Sequence, residues 1–535
     1  MSASSKKKLR KEQNAAALTE KQLNERKEAK KQKISTLIFV IVMAIVLVVG
    51  LTVMVIRGIE GSAFINKHTT ALTVGDHKLN SVVMNYYYTD TVNSSYTEWT
   101  NMYGDSTAAY LSMLQLDVTK PLDEQTYYAD DMTWAEYFMD MAIDRATADY
   151  AVYDLAMKAN YVLSAEDQLN LESNVNYKDL YSMTSGFDDV DDYMEAFYCP
   201  GASRDTYYDY CEVSAIASAF YNDYSDSLTF TDADIRAHEA GNESNYNSYT
   251  YASYYLGYNK YIGEDVTDPT TEQIEEASAL AKIDATSLLN ATSVEALDAA
   301  IAALPVNAEA TTAATTKNDS VIYPSVNSVI RNWVSDSARK TGDITMIANE
   351  VTSTNDDGTE TTTINGYYVV MFQEATDNND LMSNVRHLLV RFDDETDEAK
   401  ATAKAEAEEH LNTWKQGEAT EESFIELVKK YSFDSTASEG GLFENINPDS
   451  SFVPSFLNWS IDPARKVGDV EVIESEYGYH VMYYVGNSEL SYRDYMITNE
   501  LRELALNDWY NAAVDSVSVA EGNLSRIDTG LTLAS

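Results

Sequence analysis

Basic residues are scarce once the first 33 positions are passed. The chain carries 38 Lys+Arg against 86 Asp+Glu, a formal charge of −48. Eleven of the basic and only four of the acidic groups fall in residues 1–33, which leaves −55 on the remainder. A surface of that sign repels phosphate backbones, so nucleic acid is excluded as a partner. It repels anionic lipid in the same way. The acidity serves solubility, or forms a cradle for basic unfolded chains or loosely held divalent cations. Pairs such as Asp188-Asp189 and Asp191-Asp192 lack the spaced ligands of a tight calcium loop. Cysteine is almost absent too: Cys199 and Cys211 are the two in the chain. No Cys or His partners stand at ligand spacing, so neither a metal nor another cofactor is expected. A bridge between the two would close a short loop and stabilise it by about 3 kcal/mol. Two buried thiols are the alternative.

Long apolar runs are missing with a single exception. Ile34 to Ile56 is an uncharged, almost wholly apolar stretch of 23 residues. At about 1.5 Å rise per residue it spans a hydrocarbon core of roughly 30 Å. Gly61-Ser62-Ala63 is a poor cleavage site, and no lipid-accepting cysteine follows. The run therefore reads as a transmembrane signal anchor at 34–56, behind a basic cytoplasmic tail at 1–33. The basic excess before the span places the N-terminus in the cytoplasm and the bulk of the chain outside. The expected location is the cell membrane, single-pass, with the C-terminal bulk extracytoplasmic.

Histidine is also rare, with six in the chain, yet two bracket a block of about one hundred residues. His387 lies in VRHLLVRF and His480 in YGYHVMYYVG, both short apolar, β-branched or aromatic runs that read as strands. Between them stand a helical segment from Glu395 to Tyr431, Tyr431-Ser432-Phe433-Asp434, Gly440-Gly441-Leu442, Phe452-Val453-Pro454-Ser455-Phe456 and Gly468-Asp469. The closing strand carries Gly478-Tyr479-His480. This order of six elements resembles the parvulin family of peptidyl-prolyl cis/trans isomerases over about a fifth of the chain. The segment between Phe456 and Gly468 is slightly expanded, and Phe452 stands where a Met or similar residue is common. The resemblance implies that His387 and His480 face each other within a hydrogen-bond network reaching Asp434. It implies a catalytic set of His387, Asp434 and His480, with the histidines positioning and Asp434 supplying negative potential. Phe452 and Phe456, with Leu442 as a further wall, are the expected substrate pocket. Phosphate-directed parvulins need a basic cluster after the first strand; here that loop reads RFDDETDE, so an unphosphorylated substrate is expected.

An internal repeat organises the middle of the chain. NWVSDSARKTGDI from Asn332 matches NWSIDPARKVGDV from Asn458 at a constant offset of 126. NGYYVVMF from Asn365 echoes YGYHVMYY from Tyr477, and YASYYLGY from Tyr251 stands where VRHLLVRF does. Residues 250–376 thus read as a second, degenerate parvulin-like domain, with Tyr255 and Tyr368 at the histidine positions and no Gly-Gly turn. STNDDGTETTT within it reads as a hairpin excursion. Residues 62–249 are tyrosine-rich with apolar residues at three- and four-residue intervals, as in packed amphipathic helices. SAEDQLNLE and TDADIRAHE open with N-cap residues. The order of regions is similar to that of SurA/PrsA-type foldases, in which a helical chaperone domain precedes the parvulin domain and a C-terminal segment can return to complete it. Residues 488–535 read as a C-terminal helix and a tail with frayed last residues.

The expected fold class is α+β: a transmembrane helix, a mostly helical chaperone-like domain, and two parvulin-like domains of small antiparallel sheets with helices, at 250–376 and 384–487. The expected function is a membrane-anchored isomerase and chaperone for X-Pro segments of unfolded, exported polypeptides. A holdase whose parvulin-like domains only bind peptides is the alternative.

Overall fold

The computed structural model describes residues 63–533 except 130, 263–265, 268, 309–311, 355–357, 393 and 395, together with Lys7. The basic tail and the apolar run at 34–56 lie outside these residues. Among the described residues no helix is long and apolar enough to cross a membrane. The chain is mixed α+β, mostly helical, with small antiparallel sheets. It divides into two compact units, one running to Leu228 and including Leu504 onward, the other Thr229–Glu503. Thr229 to Tyr249, read from the sequence as the end of the helical region, fall in the second unit.

The first unit contains helices α1 (Ala63–His68), α2 (Ser81–Tyr103), α3 (Thr107–Met113), α4 (Trp134–Lys158), α5 (Ala165–Thr184), α6 (Val190–Phe197) and α7 (Arg204–Ser227). Side-chain caps set where the longer ones begin. Thr133 and Glu136 form a capping box on α4, Ser203 and Thr206 one on α7, and Ser164 caps α5. Each cap satisfies backbone donors that a helix start leaves open. Strands β1 (Thr70–Val74) and β2 (His77–Asn80) form a hairpin, and the last strand, β11 (Val519–Glu521), pairs antiparallel with β1. The C-terminal segment thus returns to this unit. Ile527 and Leu533 are buried in the same core as Trp134, Phe138 and Tyr86, so the final residues are packed rather than frayed. Cys199 and Cys211 are buried, unbridged thiols. Burial pushes the Cys211 thiol up to about 12, with nearby Asp90 adding to the shift.

The second unit opens with α8 (Asp232–Glu239), capped by Thr231 as its sequence indicates. Two four-stranded sheets follow. β3 (Ser248–Gly257), β4 (Thr316–Ile322), β5 (Ile344–Thr354) and β6 (Glu360–Thr376) make the first, in the order β4-β3-β6-β5. β7 (Leu381–Arg391), β8 (Leu442–Ile446), β9 (Val470–Ser475) and β10 (Gly478–Ser491) make the second, in the order β8-β7-β10-β9. The two orders are the same when each sheet's strands are counted along the chain. The β5–β6 pairing continues to Thr354 opposite Glu360, beyond the sheet body, where the polar excursion was expected. Helices α9 (Thr271–Leu288), α10 (Val294–Ala302) and α11 (Ser328–Val334) belong to the first sheet's part of the chain. Helices α12 (Asp397–Gln416), α13 (Glu421–Tyr431) and α14 (Pro454–Ser460) belong to the second, and α15 (Tyr492–Asp515) follows β10.

The repeated segment is a corner with the same physics twice. Arg339 lies 5.0 Å over the Trp333 ring and Arg465 4.4 Å over Trp459. Asp336 and Asp462 each accept from the N–H two residues on and from the arginine side chain of their own corner in a salt bridge. Gly342 and Gly468 hold φ of +88° and +87°, a conformation that side chains resist. Their N–H groups donate to Phe372 and Tyr484 respectively, both at 2.9 Å. The eight matched residues therefore lock the turn that leads into β5 or β9.

A buried arginine joins the start of α15 to what precedes the sheets. The Arg493 guanidinium pairs with Glu239 at the end of α8. It also donates to Asn247 Oδ1 (2.8 Å), Glu243 O (2.6 Å) and Asp377 O (3.0 Å). Arg493 is 5% exposed and Glu239 8%. Removing one member of such a pair strands the other in a place with little water. Replacing Arg493 with Met is expected to destabilise the second unit by about 3 kcal/mol. The double change Arg493→Met, Glu239→Gln should recover part of that loss in urea unfolding of the purified chain. Equal stability of wild type and R493M would remove this joint from the account.

Candidate functional site

The site grows from the pairing of β7 with β10. Their antiparallel register sets Met482 opposite His387 and Leu389 opposite His480, so the two histidines lie diagonally on one face. Both are buried, at 2% and 5% exposure. The rings stack at 5.3 Å and 23°, and the two Nδ1 atoms approach to 3.0 Å. Close backbone passage makes this packing possible. Gly441 has φ of +65°, and a Cβ there would meet His387 O at 2.2 Å. Gly478, at φ +150°, would bring one to 2.1 Å from Val390 O. Arg386, one residue before His387, donates to the carbonyls of Glu439 and Gly440 and pairs with Glu421 on α13, fixing the glycine turn from beneath.

Asp434 is delivered by the loop after α13. Ser432 Oγ accepts from Leu389 N (3.0 Å) and from Asp434 N (3.2 Å), and Phe433 N donates to Leu389 O, docking the loop on β7. The carboxylate caps the following turn, accepting from Thr436 N (2.9 Å) and Thr436 Oγ1 (2.5 Å). Its Oδ1 lies 3.4 Å from His387 Nε2, a charge contact that falls short of hydrogen-bond geometry. The His387 ring holds the Asp434 carboxyl well below the usual carboxylate range; partial burial opposes this and Thr436 reinforces it.

The protons can be assigned by elimination. His480 Nε2 is 2.7 Å from Ser475 Oγ, which also accepts from Tyr477 N. With both rings neutral, one Nδ1 must donate to the other. If His387 donated, its bare Nε2 would face the Asp434 carboxylate lone pair to lone pair. The favourable arrangement runs Ser475 O–H to His480 Nε2, His480 Nδ1–H to His387 Nδ1, and His387 Nε2–H toward Asp434. Burial pushes His480 down to about 4; the neighbouring His387 ring adds to this and Asp434 partly offsets it.

Aromatic rings cover the array. Phe456 meets His387 edge-on at 5.3 Å and His480 at 5.6 Å. Phe452 stacks on Phe456 at 4.7 Å, and Phe443 touches Phe452 at 5.0 Å and His387 at 5.2 Å. Phe456 is 1% exposed and forms the floor, while Phe443 and Phe452 are half-buried. Five of the six residues singled out in the sequence thus stand together. Leu442 does not join them. It pairs with Arg386, so strand alternation turns it from the histidine face, and Phe443, opposite Val385, takes the wall position. Ser475 and Phe443 escaped the sequence reading, and Ser432 was named there only as part of the motif. The signal for Ser475 was its place five residues before His480 across a two-residue turn.

The first sheet shows what an altered interior looks like. Gly366 and Gly478 occupy equivalent places, which aligns Tyr368 with His480. The same register puts Ser253, not Tyr255, at the His387 position; Tyr255 corresponds to Leu389. The Tyr255 and Tyr368 rings meet at 4.6 Å, tilted by 35°, and Asn349 Nδ2 donates to Tyr255 Oη where Ser475 serves in the second sheet. No carboxylate takes part in these contacts.

Two outcomes follow. His480 binds protons less readily folded than unfolded, so stability is full above about pH 6.5 and falls as pH drops toward 4, by up to about 3 kcal/mol. His480→Asn should flatten that window in pH-dependent urea titrations, and an unchanged slope would contradict the assignment. Gly441→Ala places a side chain against His387 O at positive φ and is expected to cost about 2 kcal/mol or more, read as a lowered midpoint.

Comparison with known proteins follows this geometry. Residues 367–486 match the PPIC-type PPIase domain family, a span that opens inside β6 and contains both histidines and Asp434. No curated protein matches the chain. Among solved structures, PrsA from Bacillus subtilis is 29% identical over 25% of this chain and 45% of its own, with a TM-score of 0.17. PrsA from Bacillus cereus is 27% identical over 26% of this chain and 49% of its own, at 0.18. A chain from a structure of two SurA-like chaperones of Campylobacter jejuni, PEB4 and Cj1289, is 22% identical over 24% and 50%, at 0.15. The chain spans about half the length of these solved proteins. Within it, residues 367–486 are a domain of the PPIC-type, or parvulin, family of peptidyl-prolyl isomerases.

Proposed function

We propose that the protein is an extracytoplasmic foldase, held in the membrane by residues 34–56, that isomerises X-Pro bonds in unfolded exported polypeptides at the site on β7 and β10. The observation carrying this reading is the His387–His480 pair with Asp434 beside it, packed against Phe443, Phe452 and Phe456. Isomerisation faces a barrier of about 18–20 kcal/mol because the amide must give up its partial C–N double bond. It needs no nucleophile, and none of the site's groups forms a Ser or Cys triad. The half-buried faces of Phe443 and Phe452 would grip the proline ring and strip water from its amide. Water bonded to the planar carbonyl favours the ground state, so its removal helps the twisted form.

Asp434 then supplies fixed negative potential near the substrate carbonyl, which disfavours the planar, charge-separated amide. The histidines are positioning residues in this scheme. Their neutral chain from Ser475 keeps an N–H turned toward Asp434 and adds no charge of its own. The first sheet, with Ser253 and Tyr368 in the histidine places, would serve as a spacer or peptide-binding module. The helical unit would hold clients while the second sheet works on them.

The test is prolyl isomerisation of unphosphorylated tetrapeptides by the purified chain beside Asp434→Ala and His480→Ala. Wild type should accelerate the reaction, and D434A should lose about tenfold or more in kcat/KM while remaining folded. H480A should lose activity with an altered pH profile. A folded wild type without acceleration across several residues before proline would replace this reading with a peptide-binding holdase.

A further inference from the structure

The helical unit contains a polar cavity of about 480 Å³ that the isomerase chemistry does not use. Arg145 and Asp149 from α4 line it with Asp90 from α2, Tyr210 from α7 and Asn174 from α5. Arg145 and Asp149 are one helical turn apart, the spacing at which opposite charges usually meet. Here they make no ion pair. Asp149 Oδ2 accepts from Tyr87 Oη (3.1 Å) and from Ser214 Oγ. Its Oδ1 accepts no hydrogen bond among the described residues, and Arg145 acts on Asp149 and Asp90 through charge alone, donating a hydrogen bond to neither. Asp90 is held by Tyr198 Oη at 2.9 Å and Tyr207 Oη at 3.4 Å.

The Tyr210 hydroxyl is a second, independent sign. Its side chain is 4% exposed, yet the hydroxyl has no hydrogen-bond partner among the described residues. Burial raises the phenol well above its ordinary range, so it stays an O–H donor. A buried donor left without a partner destabilises the folded chain. The cavity therefore has donors to spare at Arg145 and Tyr210 and an open acceptor at Asp149. A purely cationic ligand would leave Arg145 unanswered, and a purely anionic one would face Asp90 and Asp149.

The geometry points to a zwitterionic ligand of the amino-acid or short-peptide type, with its carboxylate on Arg145 and its ammonium on Asp149. Arg–carboxylate recognition can be bidentate, and both charges of the ligand find their complement. The volume admits a dipeptide with its side chains. This inference stands apart from the isomerase reading, which concerns the other unit, and neither depends on the other.

Calorimetric titration of the full chain with alanyl-alanine tests it, beside the N-acetylated and the C-amidated forms. The free dipeptide should bind one to one, and blocking either end should weaken it about tenfold or more. Arg145→Gln should abolish binding; because the guanidinium also offsets the charges of Asp149 and Asp90, its unfolding midpoint is read alongside. Tyr210→Phe removes only the hydroxyl and should weaken binding in a folded protein, which carries the test should R145Q fail to fold. Absence of binding at millimolar dipeptide, equal affinity for the blocked forms, or unchanged binding by a folded R145Q or Y210F would each overturn the proposal. Tighter binding of N-acetyl-lysine amide than of the dipeptide would overturn the ligand class.

Discussion

The β7–β10 register is the constraint on which the candidate site depends. A slip of one residue would move every side chain of one strand to the other face of the sheet. His387 and His480 would then lie on opposite sides, and no rotamer could bring their Nδ1 atoms to 3.0 Å. Two glycines hold that register by close contact, and Gly441 O also accepts from His387 N at 3.0 Å. Gly478 lets β10 pass against Val390, and Gly441 lets the turn before β8 press on the His387 carbonyl. The loop with Asp434 is then fastened to the same strand through Ser432 and Leu389. Sheet, glycine turn and acidic loop thus all converge on β7 within four residues of His387.

The two sheets separate what makes the fold from what makes the site. Their strand orders agree, and both keep the Trp–Arg corner with a glycine at φ near +87°. Both also keep a glycine two residues before the second histidine position, Gly366 within β6 and Gly478 at the start of β10. The difference lies inside: Ser253 and Tyr368 replace the histidines, and Ile330 stands in the α11 position that corresponds to Phe456 in α14. A tyrosine pair in ring contact and tied to Asn349 fills the volume that the histidine network and its aromatic cluster occupy in the other sheet. Corner and strand order are therefore compatible with either interior. The presence of the fold alone says little about chemistry.

The sequence made the strong periods and the punctuated turns visible, and hid what depends on pairing. His387 and His480 could be placed because their strands are apolar runs bounded by turns, and Asp434 because it closes the Tyr-Ser-x-Asp run on which the parvulin resemblance rests. Leu442 and Phe443 are adjacent, and only the partner strand decides which of them faces the histidines. Ser475 was hidden for the same reason, its role arising across a hairpin. Assigning Tyr255 to a histidine position was an error of two residues along β3, which strand alternation alone cannot detect because both positions share a face. β11 is three residues long, too short to carry a period, so the return of the chain end to β1 left only the weak signal of Leu524, Ile527 and Leu533.

Electrostatics explains why a chain so rich in acid uses a single carboxylate at this site. A second charge close to Asp434 would raise one of the two toward neutrality, since like charges in a poorly hydrated place cannot both ionise. The immediate neighbours of Asp434 are instead donors: Thr436 through its N–H and hydroxyl, and His387 through its ring edge. Burial pushes the His480 pKa down, so that ring adds no positive charge beside Asp434 near pH 7. Direction, rather than amount, is what the array contributes. One fixed negative charge lies at the edge of an aromatic cluster, in an orientation set by hydrogen bonds that were complete before any substrate arrived. Under the proposed function, such preorganisation would avoid reorienting dipoles at the moment the amide twists. The acidic surface beyond it acts over longer range and is screened within about 8–10 Å of salt solution, so it bears on encounter rather than on the bond that turns.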